Sequence, residues 1–99
     1  MSETQLQNAI VGALEAIDVW VIRQARSKKR GWKSINTGED GQPDLWTELG
    51  WMEVKLPGKD LDPDQVAWHA KAERRGVRAT TVWSIEDAIR AALFWRSLR

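Results

Sequence analysis

The 99 residues of this chain suffice for one compact domain with a single hydrophobic core, and an apolar fraction of 42% is typical of a globular protein. The absence of cysteine excludes disulfides and thiolate zinc sites, and the single histidine excludes a histidine-rich metal site. The net charge of +1 excludes little. No apolar run approaches the roughly 20 residues that span a bilayer. The first residues lack the features of a secretion signal, so we expect a cytoplasmic protein with no membrane contact.

The first predicted element is a helix from about Glu3 to Ile17. Its apolar residues recur every three or four positions: Leu6, Ile10, Leu14 and Ile17. Ser2 and Gln5 have the spacing of a capping box, which places the helix start at the beginning of the chain. The β-branched and aromatic run Val19–Ile22 then predicts a strand.

A basic segment and a hairpin follow. Six cations and no acid fall within residues 23–33, and a turn-rich stretch extends from Asn36 to Gly41. Residues Asp44–Leu49 and Trp51–Lys55 are predicted as two strands joined tightly at Gly50.

The second half of the chain alternates helix and strand. Asp62 is a good N-cap with Pro63 at the first helical position, and this helix should end near Arg75. Arg78–Trp83 is a predicted strand, and Ser84 caps a final helix that reaches close to Arg99. The predicted order is α-β-β-β-α-β-α in one domain over residues 1–99, an α/β fold with a small mixed sheet flanked by helices.

The predicted hairpin contains the candidate catalytic residues. Glu53 and Lys55 project from one face of a strand because side chains alternate, and antiparallel pairing can bring Asp44 close to Glu53. Two converging carboxylates repel each other, and a divalent cation relieves the repulsion. Without cysteine or a histidine cluster, the donors are oxygens, which favour Mg²⁺ or Mn²⁺. The alternative is an ordinary surface hairpin whose charges face solvent.

Further motif residues make the pattern specific. They are Gly41-Gln42-Pro43-Asp44-Leu45, Glu53-Val54-Lys55, Gly58, Leu61, Asp64-Gln65 and Trp68. This arrangement resembles the VRR-NUC family, a branch of the PD-(D/E)xK nucleases with a restriction-endonuclease-like core. The likeness extends over nearly the whole chain, and the family includes stand-alone phage and bacterial proteins of about this length. It therefore implies the cytoplasm of a bacterium or of a phage-infected host.

The resemblance implies a role for each matching residue. Asp44 and Glu53 match the ligands of the catalytic ion, and the backbone carbonyl of Val54 usually joins them. Lys55 matches the lysine that serves the attacking water or the scissile phosphate. Gln65 also lines the site in this family, although it occupies a capping-box position as well. Glu3 is the best match for an acidic residue on the first helix, where acids are favoured in any case.

The implied function is a metal-dependent, structure-specific DNA endonuclease. The resemblance to Holliday junction resolvases favours branched DNA as substrate. The residues expected to contact DNA lie in the basic segment and are Arg26, Lys28, Lys29, Arg30, Trp32 and Lys33. Three alternatives remain open: a non-catalytic module that binds DNA structures, a nuclease that acts mainly on RNA, and a nuclease active only within a larger phage complex.

The apolar residues of the final predicted helix indicate a homodimer. One apolar stripe, suited to docking on the sheet, consists of Ile85, Ala88, Ile89, Ala92 and Leu93. A second apolar side consists of Ala91, Phe94, Trp95 and Leu98. A small domain can hardly cover both sides, and a four-way junction needs two symmetric cuts, so we expect a dimer interface at Phe94, Trp95 and Leu98. The alternative is that Trp95 and Leu98 pack against the first helix of the same chain.

Overall fold

A computed structural model describes residues 1–24 and 39–99. Three helices and four strands lie in these ranges in the predicted order. They are α1 (Glu3–Ala16), β1 (Val21–Arg23), β2 (Leu45–Thr47), β3 (Trp51–Val54), α2 (Pro63–Arg74), β4 (Ala79–Val82) and α3 (Ile85–Ser97). The predicted mixed α/β architecture is confirmed, and the strands are shorter than the sequence pattern indicated.

The four strands form one sheet in the order β1-β2-β3-β4. The first three strands are antiparallel to their neighbours, and β4 runs parallel to β3 after the crossover through α2. Helices α1 and α3 cover one face, where the core lies. This core combines the apolar stripe of α1 with alternate residues of the sheet, and its members include Leu6, Ile10, Leu14, Leu45, Met52, Val54 and Val82.

A two-residue turn joins β2 to β3, with Glu48 and Leu49 at its tip. The backbone of Thr47 and that of Gly50 bond to each other in both directions, at 3.0 and 3.2 Å. The Thr47 hydroxyl donates to the Gly50 carbonyl oxygen at 2.6 Å and accepts from the Leu49 and Gly50 amides at 3.1 and 3.0 Å. The turn is therefore centred before Gly50, and Thr47 satisfies the backbone groups of this buried corner.

The predicted role of Trp95 at a dimer interface is wrong. Its side chain is only 8% exposed and belongs to the intramolecular core, on the same helical stripe as Ala88 and Ala92. The ring fits there because Gly50 has no side chain: a Cβ at that position would lie 2.8 Å from Cζ3 of Trp95. Small alanines bring α3 close to the sheet, and the indole fills the space at the hairpin end.

The other two predicted interface residues stand on the outer side of α3. Phe94 is 61% exposed, and Leu98 is exposed as well. Leu93 was predicted to dock on the sheet, but it is exposed beside Phe94. The exposed apolar residues in the second half of α3 are therefore Leu93, Phe94 and Leu98, with Leu93 in place of the predicted Trp95. Within the described ranges, no helix is long and apolar enough to cross a bilayer.

Candidate active site

The two candidate metal-binding residues lie opposite each other on one face of the sheet. Leu45 pairs with Met52 and Trp46 with Trp51, and extending this register by one residue places Asp44 opposite Glu53. Residues directly opposite each other in an antiparallel pair project to the same face. Glu53 is only 1% exposed, so its carboxylate is held away from bulk water.

Pro43 shapes the peptide groups beside these acids. The same register makes Pro43 the partner of Val54, but proline has no N–H to donate to the Val54 carbonyl. The Val54 amide donates instead to Oδ2 of Asp44 at 3.0 Å. An extended residue directs its N–H and C=O to the same side, so the Val54 carbonyl faces the gap next to Asp44 without its usual ladder donor. The Pro-Asp dipeptide therefore both anchors the carboxylate and leaves an acceptor at its side.

Gln65 links the start of α2 to Glu53. The side-chain Oε1 of Gln65 accepts from the backbone N–H of Asp62 at 2.9 Å. The backbone N–H of Gln65 donates to Oδ1 of Asp62 at 3.0 Å, which completes a capping box. Because the cap uses the side-chain oxygen, the side-chain Nε2 is free to face the sheet, where it donates to Oε1 of Glu53 at 2.8 Å. The helix cap and the contact with Glu53 are made by one buried side chain.

A close approach at Gly41 sets the position of α2 relative to Asp44. Gly41 has φ +80°, and a Cβ there would lie 2.0 Å from the Asp64 carbonyl oxygen and 2.8 Å from the Gln65 amide nitrogen. Only glycine permits this conformation and this contact together. An ion pair between Lys71 and Glu39, at 3.3 Å, also joins the segment before Asp44 to α2.

Lys55 extends β3 by one residue. Its amide donates to the Val82 carbonyl at 3.1 Å, so the parallel ladder continues and the lysine lies two residues after Glu53 on the same face. Its side chain is half-buried and makes no hydrogen bond or ion pair with a described residue. Thr81 lies beside Glu53 in the β3–β4 register. This neighbour could not be predicted from the sequence, because no local pattern fixes the register of a parallel pair of strands separated by a helix.

Glu3 is the one further residue predicted for this site that the structure describes. Glu3 is exposed in the first turn of α1 and makes no hydrogen bond or ion pair with the residues described. The six predicted DNA-contacting residues, Arg26, Lys28, Lys29, Arg30, Trp32 and Lys33, lie outside the described residues. Glu48 forms a surface ion pair with Arg99 at 3.4 Å.

His69 lies on α2 with its ring against Trp68, at 5.8 Å between centroids. Burial lowers the pKa of the imidazole below its ordinary value of 6.5. Its Nε2 is buried and bonds to no described residue. This environment favours a neutral ring that is packed into the structure.

The donor set suits a hard divalent cation. No group of three histidine, cysteine or acidic side chains clusters in the part of the chain that is described. The Asp44–Glu53 pair and the Val54 carbonyl nevertheless supply oxygen donors of the kind that Mg²⁺ and Mn²⁺ prefer, and Mg²⁺ commonly uses only one or two carboxylates. The residues present therefore fit such an ion.

The chain is an α/β domain with two acidic residues opposite each other beside its central hairpin. Comparison with solved structures identifies its fold. The chain matches a solved structure described as a VRR_NUC domain with a TM-score of 0.69 and 24% sequence identity, over 89% of this chain and 90% of that chain. No family model matches the sequence, and no curated protein matches it significantly. The fold is that of a VRR_NUC domain, as the sequence motifs predicted.

Proposed function

We propose that this chain is a VRR-NUC nuclease that hydrolyses phosphodiester bonds in DNA with the help of a divalent cation. The observation that carries the proposal is the position of Asp44 opposite Glu53, on the face where Gln65 reaches Glu53. A protein that only binds DNA gains nothing from two carboxylates where phosphates must approach, because like charges repel. The VRR_NUC fold supports the same conclusion.

Each residue of the site has a distinct role in this reaction. Asp44, Glu53 and the Val54 carbonyl would hold Mg²⁺ or Mn²⁺, which supplies an activated water and stabilises charge on the phosphate. Lys55 donates to the scissile phosphate or positions the attacking water. Gln65 fixes the orientation of the Glu53 carboxylate through its amide. Glu3, in the first turn of α1, is proposed as a further acidic residue of this site on the resemblance to the VRR-NUC family alone.

The proposed substrate is branched DNA such as a Holliday junction. The cations of the basic segment are assigned to phosphate contacts, which recognise the shape of the backbone and carry no sequence information. The whole of residues 23–33 contains six cations and no acid, so this segment can neutralise several phosphates.

The test of this function is a cleavage panel. Four-way junctions, flaps, splayed arms and linear duplex are incubated with the protein in Mg²⁺, in Mn²⁺ and in EDTA. We expect the wild type to cut in either metal and not in EDTA, with a preference for branched substrates. Lys55→Ala should lower the rate by about 10²-fold or more, because it removes a donor to the reacting phosphate.

Lys59→Ala is the matched control, since Lys59 is an exposed lysine of the same strand-to-helix connection. It should cut at the wild-type rate. Equal rates for the wild type and Lys55→Ala would contradict the proposed nuclease. Binding of junctions with no cleavage in either metal would point to a DNA-structure-binding module instead.

We also propose that the active form is a homodimer formed through the outer face of α3. Phe94 and Leu98 are exposed one helical turn apart on this helix, and Leu93 is exposed next to Phe94 in the sequence. Two-fold pairing of this face would provide the two active sites that a symmetric junction requires. Trp95 contributes only indirectly, because it is buried inside its own chain.

Phe94→Glu tests the dimer without disturbing the core. Light scattering at tens of micromolar (about the range where a modest interface forms) should give a dimeric mass for the wild type and a monomeric mass for the variant. Glu86→Lys, an exposed charge change in the first turn of α3, serves as control and should stay dimeric. A monomeric wild type would refute the proposal.

A further inference from the structure

Trp20 is exposed although it is held in place. The residue directly precedes β1, and its side chain is 61% exposed. The edge of one ring meets the face of the other in a contact with Trp46, at 4.9 Å between centroids and 81° between planes. Tryptophan is normally well buried, so a fixed indole that leaves most of its surface in water is costly for the free protein.

This tryptophan pair lies on the face of the sheet that carries the candidate active site. Ile22 pairs with Trp46 across β1 and β2, so alternation places Trp20, Ile22 and Trp46 on one face. Trp46 stands two residues after Asp44, which directly precedes β2. Asp44 and Trp46 therefore project in the same direction, about 7 Å apart along the chain.

The two aromatic pairs on this face differ in how they are covered. Trp51 of β3 packs beneath Trp68 of α2, at 5.6 Å between ring centroids. Over β1 and β2, no described helix covers Trp20 or Ile22, and both are exposed. Trp20 and Ile22 are exposed, Trp46 is half-buried, and all three lie on the face that carries Asp44 and Glu53. A DNA strand that extends from the acids over β2 can therefore reach the indole of Trp20.

We infer that Trp20, supported by Trp46, stacks on an unpaired base of the DNA strand that is cut. The inference rests on the proposed nuclease function, because that function brings a strand to Asp44. At about 3.4 Å per nucleotide, a ring about 7–12 Å from the acids meets a base two or three nucleotides from the scissile phosphate. An intact duplex keeps its base faces within its own stack, so this contact selects strands with unpaired bases, such as those of flaps and splayed arms next to the branch.

The experiment measures stacking directly and without cleavage. DNA flaps that carry the fluorescent base 2-aminopurine at unpaired positions one to five nucleotides from the branch are titrated with protein in EDTA. Stacking on an indole quenches this base. We expect strong quenching by the wild type, and loss of quenching with about 5- to 100-fold weaker flap binding for Trp20→Ala. Trp20→Phe should keep most of the flap affinity, because its ring can still stack on a base. Fully paired duplex should bind Trp20→Ala as it binds the wild type.

Trp83→Ala is the control, since Trp83 is another exposed tryptophan, located at the end of β4. It should quench like the wild type. Equal quenching and affinity for Trp20→Ala and the wild type would overturn the inference. So would light scattering in which Trp20→Ala converts a dimer to a monomer, because the surface would then belong to a second copy of the chain. The proposed nuclease fails separately, through absence of cleavage in metal while quenching in EDTA persists.

Discussion

Replacing Asp44 by asparagine is expected to lower DNA cleavage by about 10²- to 10³-fold while leaving the folded protein nearly as stable as the wild type. The carboxylate has two separable tasks. Its charge attracts the cation, and its Oδ2 accepts from the Val54 amide at 3.0 Å. Asparagine retains an oxygen for the amide but loses the charge. Calorimetry with Mn²⁺ should therefore show loss of the binding heat, with little change in the free energy of unfolding.

Two further variants isolate these tasks. Asp44→Ala should lose Mn²⁺ binding and also about 1–3 kcal/mol of stability, because the Val54 amide is left without its acceptor. Asp60→Asn removes the same charge from an exposed aspartate outside the site and should change neither cleavage nor Mn²⁺ binding. If Asp44→Asn bound Mn²⁺ as tightly as the wild type, the assignment of this carboxylate to the ion would be wrong.

Gly41→Ala should destabilise the protein by about 2–5 kcal/mol, combining about 1–2 for a left-handed backbone with about 1–3 for overpacking. A Cβ at this position would lie 2.0 Å from the backbone oxygen of Asp64, and a backbone group cannot rotate away as a side chain can. The first turn of α2 must shift, and Gln65 moves with it. Cleavage should therefore fall further than the loss of folded protein explains, measured at a temperature where the variant remains folded.

Gly76→Ala supplies the matched control. Gly76 also has a positive φ, +73°, at the end of α2, but a Cβ there meets nothing within 4 Å. This variant should show only the backbone cost and retain activity. Urea unfolding of both variants gives the comparison. Equal losses of stability for Gly41→Ala and Gly76→Ala would show that the contact with α2 does not constrain the site.

The hairpin and the capped helices could be predicted because their signals are local. Alternating side chains fix the common face of Glu53 and Lys55, and Ser2, Asp62 and Ser84 cap helices as their sequence contexts indicated. The proximity of Asp44 and Glu53 was predicted, but their register was not: the turn lies at Glu48 and Leu49, before the predicted junction at Gly50. These features depend on residues that are close in sequence.

The failures depend on contacts between distant segments. Trp95 was misplaced because its burial requires Gly50, 45 positions earlier, and helical periodicity cannot distinguish a core face from an interface when both are apolar. The exposure of Trp20 and its contact with Trp46 depend on the β1–β2 register. These two strands are separated by a long segment of sequence, so no local pattern predicts their register. Which tryptophans are exposed is therefore decided by tertiary contacts, and local sequence patterns do not predict it.

The double use of Gln65 limits how this site can be altered or transferred. A capping box accepts either glutamate or glutamine three residues after the cap, so helix formation alone does not distinguish them. Only glutamine also offers an N–H to Oε1 of Glu53, because glutamate would set one carboxylate against another. A designer who grafts the hairpin onto another scaffold must therefore bring the first turn of α2 as part of the same unit, in its original spacing and orientation.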